Sequence, residues 1–83
     1  MGVYLVFNLN KIREAMEEGI ILMKYTSLIS GDTSEREFTL NPKYTNGMTV
    51  KNEIADKLIC FDVEFQKWAD IEATTIINWK TVE

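Results

Sequence analysis

The chain has 83 residues, 46% of them hydrophobic, with no histidine, a single cysteine and a formal net charge of −4. This length supports one domain with a single modest core and leaves little room for a separate cofactor-binding lobe. The absence of histidine excludes Ser/His/Asp and Cys/His nucleophilic sites and His-ligated metals, so we expect a protein that is not an enzyme and needs no cofactor.

Neither a membrane span nor a secretory signal is predicted. The longest apolar runs, Val3 to Phe7 and Gly19 to Met23, are far shorter than the roughly 20 residues that a spanning helix requires. Met1 to Gly19 lacks the basic region, apolar core and cleavage site of a signal peptide. The single cysteine, Cys60, agrees with a reducing compartment. We therefore expect a cytoplasmic protein.

The start of the chain predicts a helix, preceded by a short strand. Val3 to Phe7 is apolar and rich in branched and aromatic residues, which favours an extra strand over residues 1–7. Residues 8–19 carry apolar side chains at helical spacing, with an asparagine available as the N-cap. Gly19 is typical of a residue that ends a helix in a left-handed conformation.

The middle of the chain predicts two strands and a less regular segment. The strands are Ile20 to Ser27 and Glu35 to Leu40, joined by a polar turn and ended by Asn41-Pro42. Residues 43–57 carry a weaker pattern. We expect a turn at Asn46-Gly47, followed by a short helical piece over Val50 to Asp56.

The last third predicts a hairpin and a closing strand. A buried strand over Leu58 to Val63 turns at Glu64 to Lys67 into a second strand, Trp68 to Glu72. Ala73 to Thr75 fits one tight turn before the last strand, Ile76 to Val82. The sequence therefore predicts a mainly β single domain over residues 1–83. Its barrel, residues 20–82, would be a small SH3-like or Sm-like barrel of about five strands with one N-terminal α-helix.

This order of elements resembles that of a known family. The matching segments are the helix Lys11 to Gly19, the stretch Arg36 to Pro42, the run Ile59 to Asp62, and Trp68 and Ile71 ahead of Ile76-Ile77. From Leu9 to Lys80 the chain resembles the phage-associated second WYL family, an Sm-like SH3 β-barrel. The resemblance implies a protein of tailed bacteriophages or prophages, acting in the cytoplasm of the infected bacterial host. In this chain Asp70 stands where family members usually carry a basic residue shortly after the tryptophan.

Acidic residues of the predicted hairpin are the first candidate site. From residue 52 onward seven acids face three lysines, whereas the first 51 residues are neutral. Charged residues also protect sheet edges from pairing, and a solvated hairpin edge is the simpler explanation. A surface of acids with aromatic anchors could instead bind a basic partner. The predicted partner-binding residues are Asp62, Glu64, Phe65, Trp68, Asp70 and Glu72.

Three functions fit these residues. We favour a non-enzymatic bacteriophage accessory protein that binds a host or phage protein and inhibits a nucleic-acid-handling target through its acidic surface. The alternative is a nucleotide or single-stranded nucleic-acid module, although the acidic charge disfavours it. Its candidate residues are Lys24, Tyr25, Arg36, Lys43 and Lys51. A third option is a self-assembling Sm-like structural protein, a homo-oligomer closed through its strand edges.

Overall fold

The computed structural model describes residues 9–48 and 57–82, which form an N-terminal helix, five antiparallel strands and two short helical segments. The elements are α1 (Leu9–Glu18), β1 (Ile20–Thr26), β2 (Thr33–Thr39), α2 (Pro42–Thr45), β3 (Lys57–Asp62), β4 (Lys67–Glu72), a 3-10 turn (Ala73–Thr75) and β5 (Ile76–Thr81). This confirms the mainly β prediction. The extra strand expected over residues 1–7, the helical piece expected over residues 50–56 and the candidate Lys51 lie outside the described residues.

All five strands belong to one sheet, in the order β4-β3-β2-β1-β5. The last strand therefore returns to pair with the first, and the tight turn Ala73–Thr75 precedes it, as predicted for a small SH3-like or Sm-like barrel. Among the described strands, β4 and β5 are the two edges of the sheet. Neither helix in the described part of the chain is long and apolar enough to cross a membrane.

The helix α1 packs on the sheet because its apolar residues recur every three or four positions. Leu9, Ile12 and Met16 are its buried residues, and the last two are fully enclosed. They join a core to which every strand contributes. The other core residues are Ile21, Met23, Phe38, Leu58, Cys60, Ile71 and Ile76, with Trp79 packed against them as a partly buried neighbour.

The end of α1 differs from the prediction. Among the described glycines, positive φ angles occur at Gly31 and Gly47 and not at Gly19, so Gly19 is no left-handed stop. Gly19 is buried, and β1 begins one residue later. The carbonyl groups at this end accept hydrogen bonds from the last residue of β2 and the residue after it instead. The Thr39 hydroxyl donates to the carbonyl oxygen of Gly19 at 2.6 Å, and the Leu40 N–H donates to that of Met16 at 2.9 Å.

The Asn46-Gly47 turn is present, but it ends a short helix and not a hairpin. Asn41 caps α2 by accepting a hydrogen bond from the Lys43 N–H at 2.9 Å, and Pro42 occupies the first helical turn. Asn46 and Gly47 have φ angles of 60° and 80°. The left-handed pair therefore works as the C-cap of α2, with the Gly47 N–H donating to the Pro42 carbonyl at 2.9 Å.

Candidate functional site

The six predicted partner-binding residues lie on the β3–β4 hairpin, but they are divided between its two ends. Asp62, Glu64, Phe65 and Trp68 lie at or next to the turn, whereas Asp70 and Glu72 lie toward the open end. The strand register shows the separation, because Asp62 is opposite Lys67 and Glu72 is opposite Lys57. The four carboxylates therefore do not form one continuous acidic edge.

Asp62 is buried and paired, which corrects the prediction that it lies on a solvated edge. Its residue is 3% exposed. One carboxylate oxygen accepts a hydrogen bond from Arg36 Nε at 2.7 Å, and the other accepts from Arg36 Nη2 at 3.2 Å. The second oxygen also accepts from the backbone N–H groups of Glu64 and Phe65, at 3.0 and 2.9 Å. Asp62 thus holds the hairpin turn against β2.

The pKa of Asp62 is lower than the ordinary value for an aspartate. Burial alone would raise it, but the hydrogen bond from Arg36, the turn N–H groups and the guanidinium charge together lower it by more. The same hydrogen bond raises the pKa of Arg36. Both groups are therefore charged at neutral pH, and they neutralise each other.

The two aromatic candidates differ in their availability. Phe65 is 58% exposed, but the guanidinium carbon of Arg36 lies 3.9 Å from its ring centroid. Trp68 is half-buried, and its ring meets that of Phe61 edge-on with centroids 5.2 Å apart. Arg36 therefore pairs with Asp62 and also covers one face of the Phe65 ring, and we regard the three residues as one structural cluster.

At the open end of the hairpin, two acids share one lysine. Lys57 Nζ lies 3.9 Å from Asp70 Oδ2 and 3.6 Å from Glu72 Oε1. The three side chains are 39%, 55% and 34% exposed, in the order Lys57, Asp70, Glu72. Ion pairs as exposed as these contribute little to stability. Among the described side chains Lys57 is the cation within ion-pair distance of these acids, so the three groups together carry one net negative charge.

A groove of about 470 Å³ runs beside these acids, between β4 and the turn that joins β1 to β2. We call it the β4 groove. Tyr25, Ala69 and Ile71 belong to or pack against the core and line its floor, while Asp70 and Glu72 line one side. The opposite side is the β1–β2 turn. The groove thus combines an apolar floor with an acidic rim at a sheet edge.

Two apolar residues of that turn were not among the predicted site residues. Leu28 and Ile29 are 73% and 98% exposed and line the β4 groove. Ser27 holds them in place, because its hydroxyl accepts hydrogen bonds from the N–H groups of Ile29 and Ser30 at 3.2 and 3.3 Å. Two adjacent branched apolar residues in an otherwise polar turn are the sequence signal that could have identified them.

The candidate nucleic-acid residues do not form one strip among those that the structure describes. Lys24 lies opposite Glu35 in the β1–β2 register, whereas Arg36 lies opposite Met23, so the two cations are on opposite faces of the sheet. Arg36 is already paired with Asp62. Lys43 is on α2, with its ammonium 5.6 Å from the Tyr44 ring centroid. Tyr25 faces the core, and burial raises its pKa.

The described residues contain no group of three or more cysteine or acidic side chains placed to hold a metal ion. Cys60 is fully buried in the core, as predicted, and burial strongly raises the pKa of its thiol. The thiolate that nucleophilic chemistry needs is therefore disfavoured at neutral pH. Comparison of the chain with known protein families, with curated proteins and with solved structures finds no match.

Proposed function

We propose that this chain is a non-enzymatic bacteriophage accessory protein that binds a host or phage protein in the cytoplasm of the infected cell. The binding surface is the β4 groove with its rim acids, Asp70 and Glu72. The observation that carries the proposal is the coincidence of an apolar floor, exposed acids and a sheet edge at one place. Surfaces of this composition are typical of protein interfaces.

Charge complementarity indicates a basic partner. The rim acids exceed their lysine by one charge, and the whole chain carries −4. A basic surface attracts such a domain over a distance set by the ionic strength. Many basic surfaces exist to bind nucleic acid, and a protein that covers one competes with the nucleic acid for it. We therefore propose a nucleic-acid-handling protein as the target and inhibition as the outcome.

The same charges weigh against a nucleic-acid module. Phosphate binding depends on several unpaired lysines or arginines on one surface. Here Arg36 is neutralised by Asp62 and is on the opposite face from Lys24. A phosphate backbone next to the β4 groove would meet Asp70 and Glu72.

Affinity capture tests the proposal. The tagged chain is incubated with bacterial lysate, with and without nuclease, and bound proteins are identified by mass spectrometry. The double variant Asp70→Lys/Glu72→Lys should lose the captured protein. The matched control is Glu17→Lys/Glu18→Lys, which makes the same charge change on two exposed residues at the C-terminal end of α1, where lysine is favourable. It should retain the protein.

The outcomes separate the proposed function from its alternatives. Stoichiometric capture that survives nuclease and is lost only in the groove variant supports the proposal. Capture that disappears with nuclease would replace it with nucleic-acid binding. Equal capture by both double variants would refute the role of the rim acids, provided that circular dichroism shows both to be folded.

Self-assembly is a second candidate function, because β4 and β5 are the edge strands of the sheet that residues 9–48 and 57–82 form. Pairing of one copy's β4 with another's β5 would build a closed oligomer. Sedimentation equilibrium of the purified chain distinguishes the two functions. A single mass several times that of the monomer would favour self-assembly, and a monomer would leave the edge for a different partner.

A further inference from the structure

We infer that the β4 groove binds its partner as an added strand, an extended segment in which apolar and basic side chains alternate. The inference rests on the proposed protein-binding function and specifies the chemistry of the partner. It follows from three properties of β4: its position at the edge of the sheet, the alternation of its side chains, and the charge beside it.

The first property is the open side of β4. On one side the strand pairs with β3, from Asp62–Lys67 to Lys57–Glu72. On the other side, within residues 9–48 and 57–82, no strand pairs with it. The backbone N–H and C=O groups on that side can bond an added strand, and edge strands commonly bind extended peptides in this way.

The second property is the direction of the side chains. Ala69 and Ile71 lie opposite the core residues Cys60 and Leu58 and face inward, whereas Asp70 lies between them and faces outward. In a strand added to β4, residues opposite Ala69 and Ile71 would face the same inward side. They would enter the groove above the apolar floor, which has a volume within the range of about 300–1,000 Å³ typical of ligand pockets.

The exposed turn strengthens this expectation. Leu28 and Ile29 line the side of the groove that faces β4, with little of their own surface covered. Apolar side chains of an added strand would remove this surface from water. The inward positions of the partner segment should therefore be apolar.

The third property, the negative charge beside β4, determines which residues are expected at the outward positions of the partner segment. Residues of the added strand opposite Asp70 and Glu72 would share the face of these acids. Lys57 is the one cation within ion-pair distance of either acid in the described structure, and it serves both. A lysine or arginine on the partner would supply the missing positive charge. The partner segment is thus expected to repeat an apolar–basic pair.

Selection from a random library tests the inference. An mRNA-displayed library of twelve-residue random peptides is selected against the full chain, against Asp70→Lys/Glu72→Lys and against the control Glu17→Lys/Glu18→Lys. Peptides enriched on the full chain and on the control should carry lysine or arginine at every second position, with apolar residues between. On the groove variant, the alternate positions should become aspartate or glutamate, because the rim then carries three lysines.

A second measurement tests the backbone pairing. The best peptide is resynthesised with N-methyl groups at alternate residues, in both phases. One phase should weaken binding at least tenfold, because it blocks the N–H groups that bond β4, and the other should change it far less. An additional variant, Leu28→Ser/Ile29→Ser, should weaken binding of the unmethylated peptide about tenfold.

Several results would overturn the inference. Helical spacing of the enriched residues, enrichment of basic residues on the groove variant, or equal tolerance of both methylation phases would each refute an added strand. Failure to enrich any peptide would also refute it. If lysate capture still depended on Asp70 and Glu72 in that case, the proposed function would stand with a folded partner surface. A dimer in sedimentation with no peptide enriched would assign the edge to a second copy.

Discussion

Replacing Asp62 with alanine is expected to destabilise the protein more than replacing any other acid on the β3–β4 hairpin. The change removes the acceptor for two Arg36 nitrogens and for two turn N–H groups, at distances from 2.7 to 3.2 Å. Arg36 keeps its longer contact with the exposed Glu64, at 3.3 Å, and its position over the Phe65 ring. A partly buried cation would then lack its main counter-charge.

The magnitude follows from the burial of the two partners. Breaking a buried ion pair by removing one partner costs about 3–5 kcal/mol. The Arg36 side chain is 19% exposed, so water recovers part of its solvation and the lower end of this range applies, about 3 kcal/mol. A chain of 83 residues has a total stability of about 4–12 kcal/mol. The alanine variant should therefore lose a quarter or more of its free energy of unfolding.

Urea unfolding, followed by tryptophan fluorescence, measures this loss. Asp62→Asn keeps an oxygen for the turn N–H groups but loses the charge, so it should cost about half as much, near 1.5 kcal/mol. The control Asp70→Asn changes an exposed carboxylate and should stay within about 0.5 kcal/mol of the parent chain. If Asp62→Ala and Asp70→Asn had the same midpoint, the assignment of Asp62 as the residue that holds the hairpin would be refuted.

The pH dependence provides an independent check. The pKa of Asp62 is lower in the folded chain than in the unfolded chain, where it is about 3.9. Its contribution to stability is therefore complete above pH ~4 and is lost as the pH falls through the lowered folded value. The stability difference between the parent chain and Asp62→Asn should shrink over that acidic range. A difference that grew with acidification would contradict the sign of the shift.

Two further predictions concern the core. Thr39→Val should lower the free energy of unfolding in urea by about 2–3 kcal/mol. The valine fills the same space, but the Gly19 carbonyl and the Asn41 N–H lose the buried hydroxyl that bonds them at 2.6 and 3.0 Å. A loss below about 0.5 kcal/mol would show that these groups find other partners. Cys60 should react with a thiol reagent only as fast as the protein unfolds, because it is fully buried and its pKa is raised; immediate labelling of the native chain would contradict that placement.

Local patterns were sufficient to predict most of the fold. The apolar spacing of α1, the strand on each side of the β1–β2 turn, and the β3–β4 hairpin depend on residues close in sequence. The buried state of Asp62 does not depend on residues close in sequence, because its partner Arg36 is 26 residues away in the chain. In the sequence alone, a buried acid beside a hairpin turn has the same local pattern as a solvated acid in that position.

Strand register explains the other differences. Whether Lys24 and Arg36 share a face depends on the pairing of β1 with β2, and a shift of one residue would reverse the answer. The register of β1 with β5 shifts between Lys24 and Tyr25, which leaves Ile76 buried and Ile77 44% exposed. A run of two isoleucines cannot reveal such a bulge. The β4 groove could not be predicted from the sequence either, because Leu28 and Asp70 come from distant parts of the chain.

In the described part of the chain, a short pairing between β2 and β3 joins two units of the sheet, the β1–β2 pair and the β3–β4 pair. The strands β2 and β3 pair at Phe38–Asp62 and Thr39–Phe61, whereas β1 pairs with β2 along its whole length. The β4 groove spans both units, because Leu28 belongs to the first unit and Asp70 to the second. Opening of the sheet at this pairing would expose the Val63 amide, which donates to the Glu37 carbonyl at 3.0 Å, to hydrogen exchange. A segment bound in the groove contacts both units and would suppress that opening, so binding would be recorded as slower exchange at Val63.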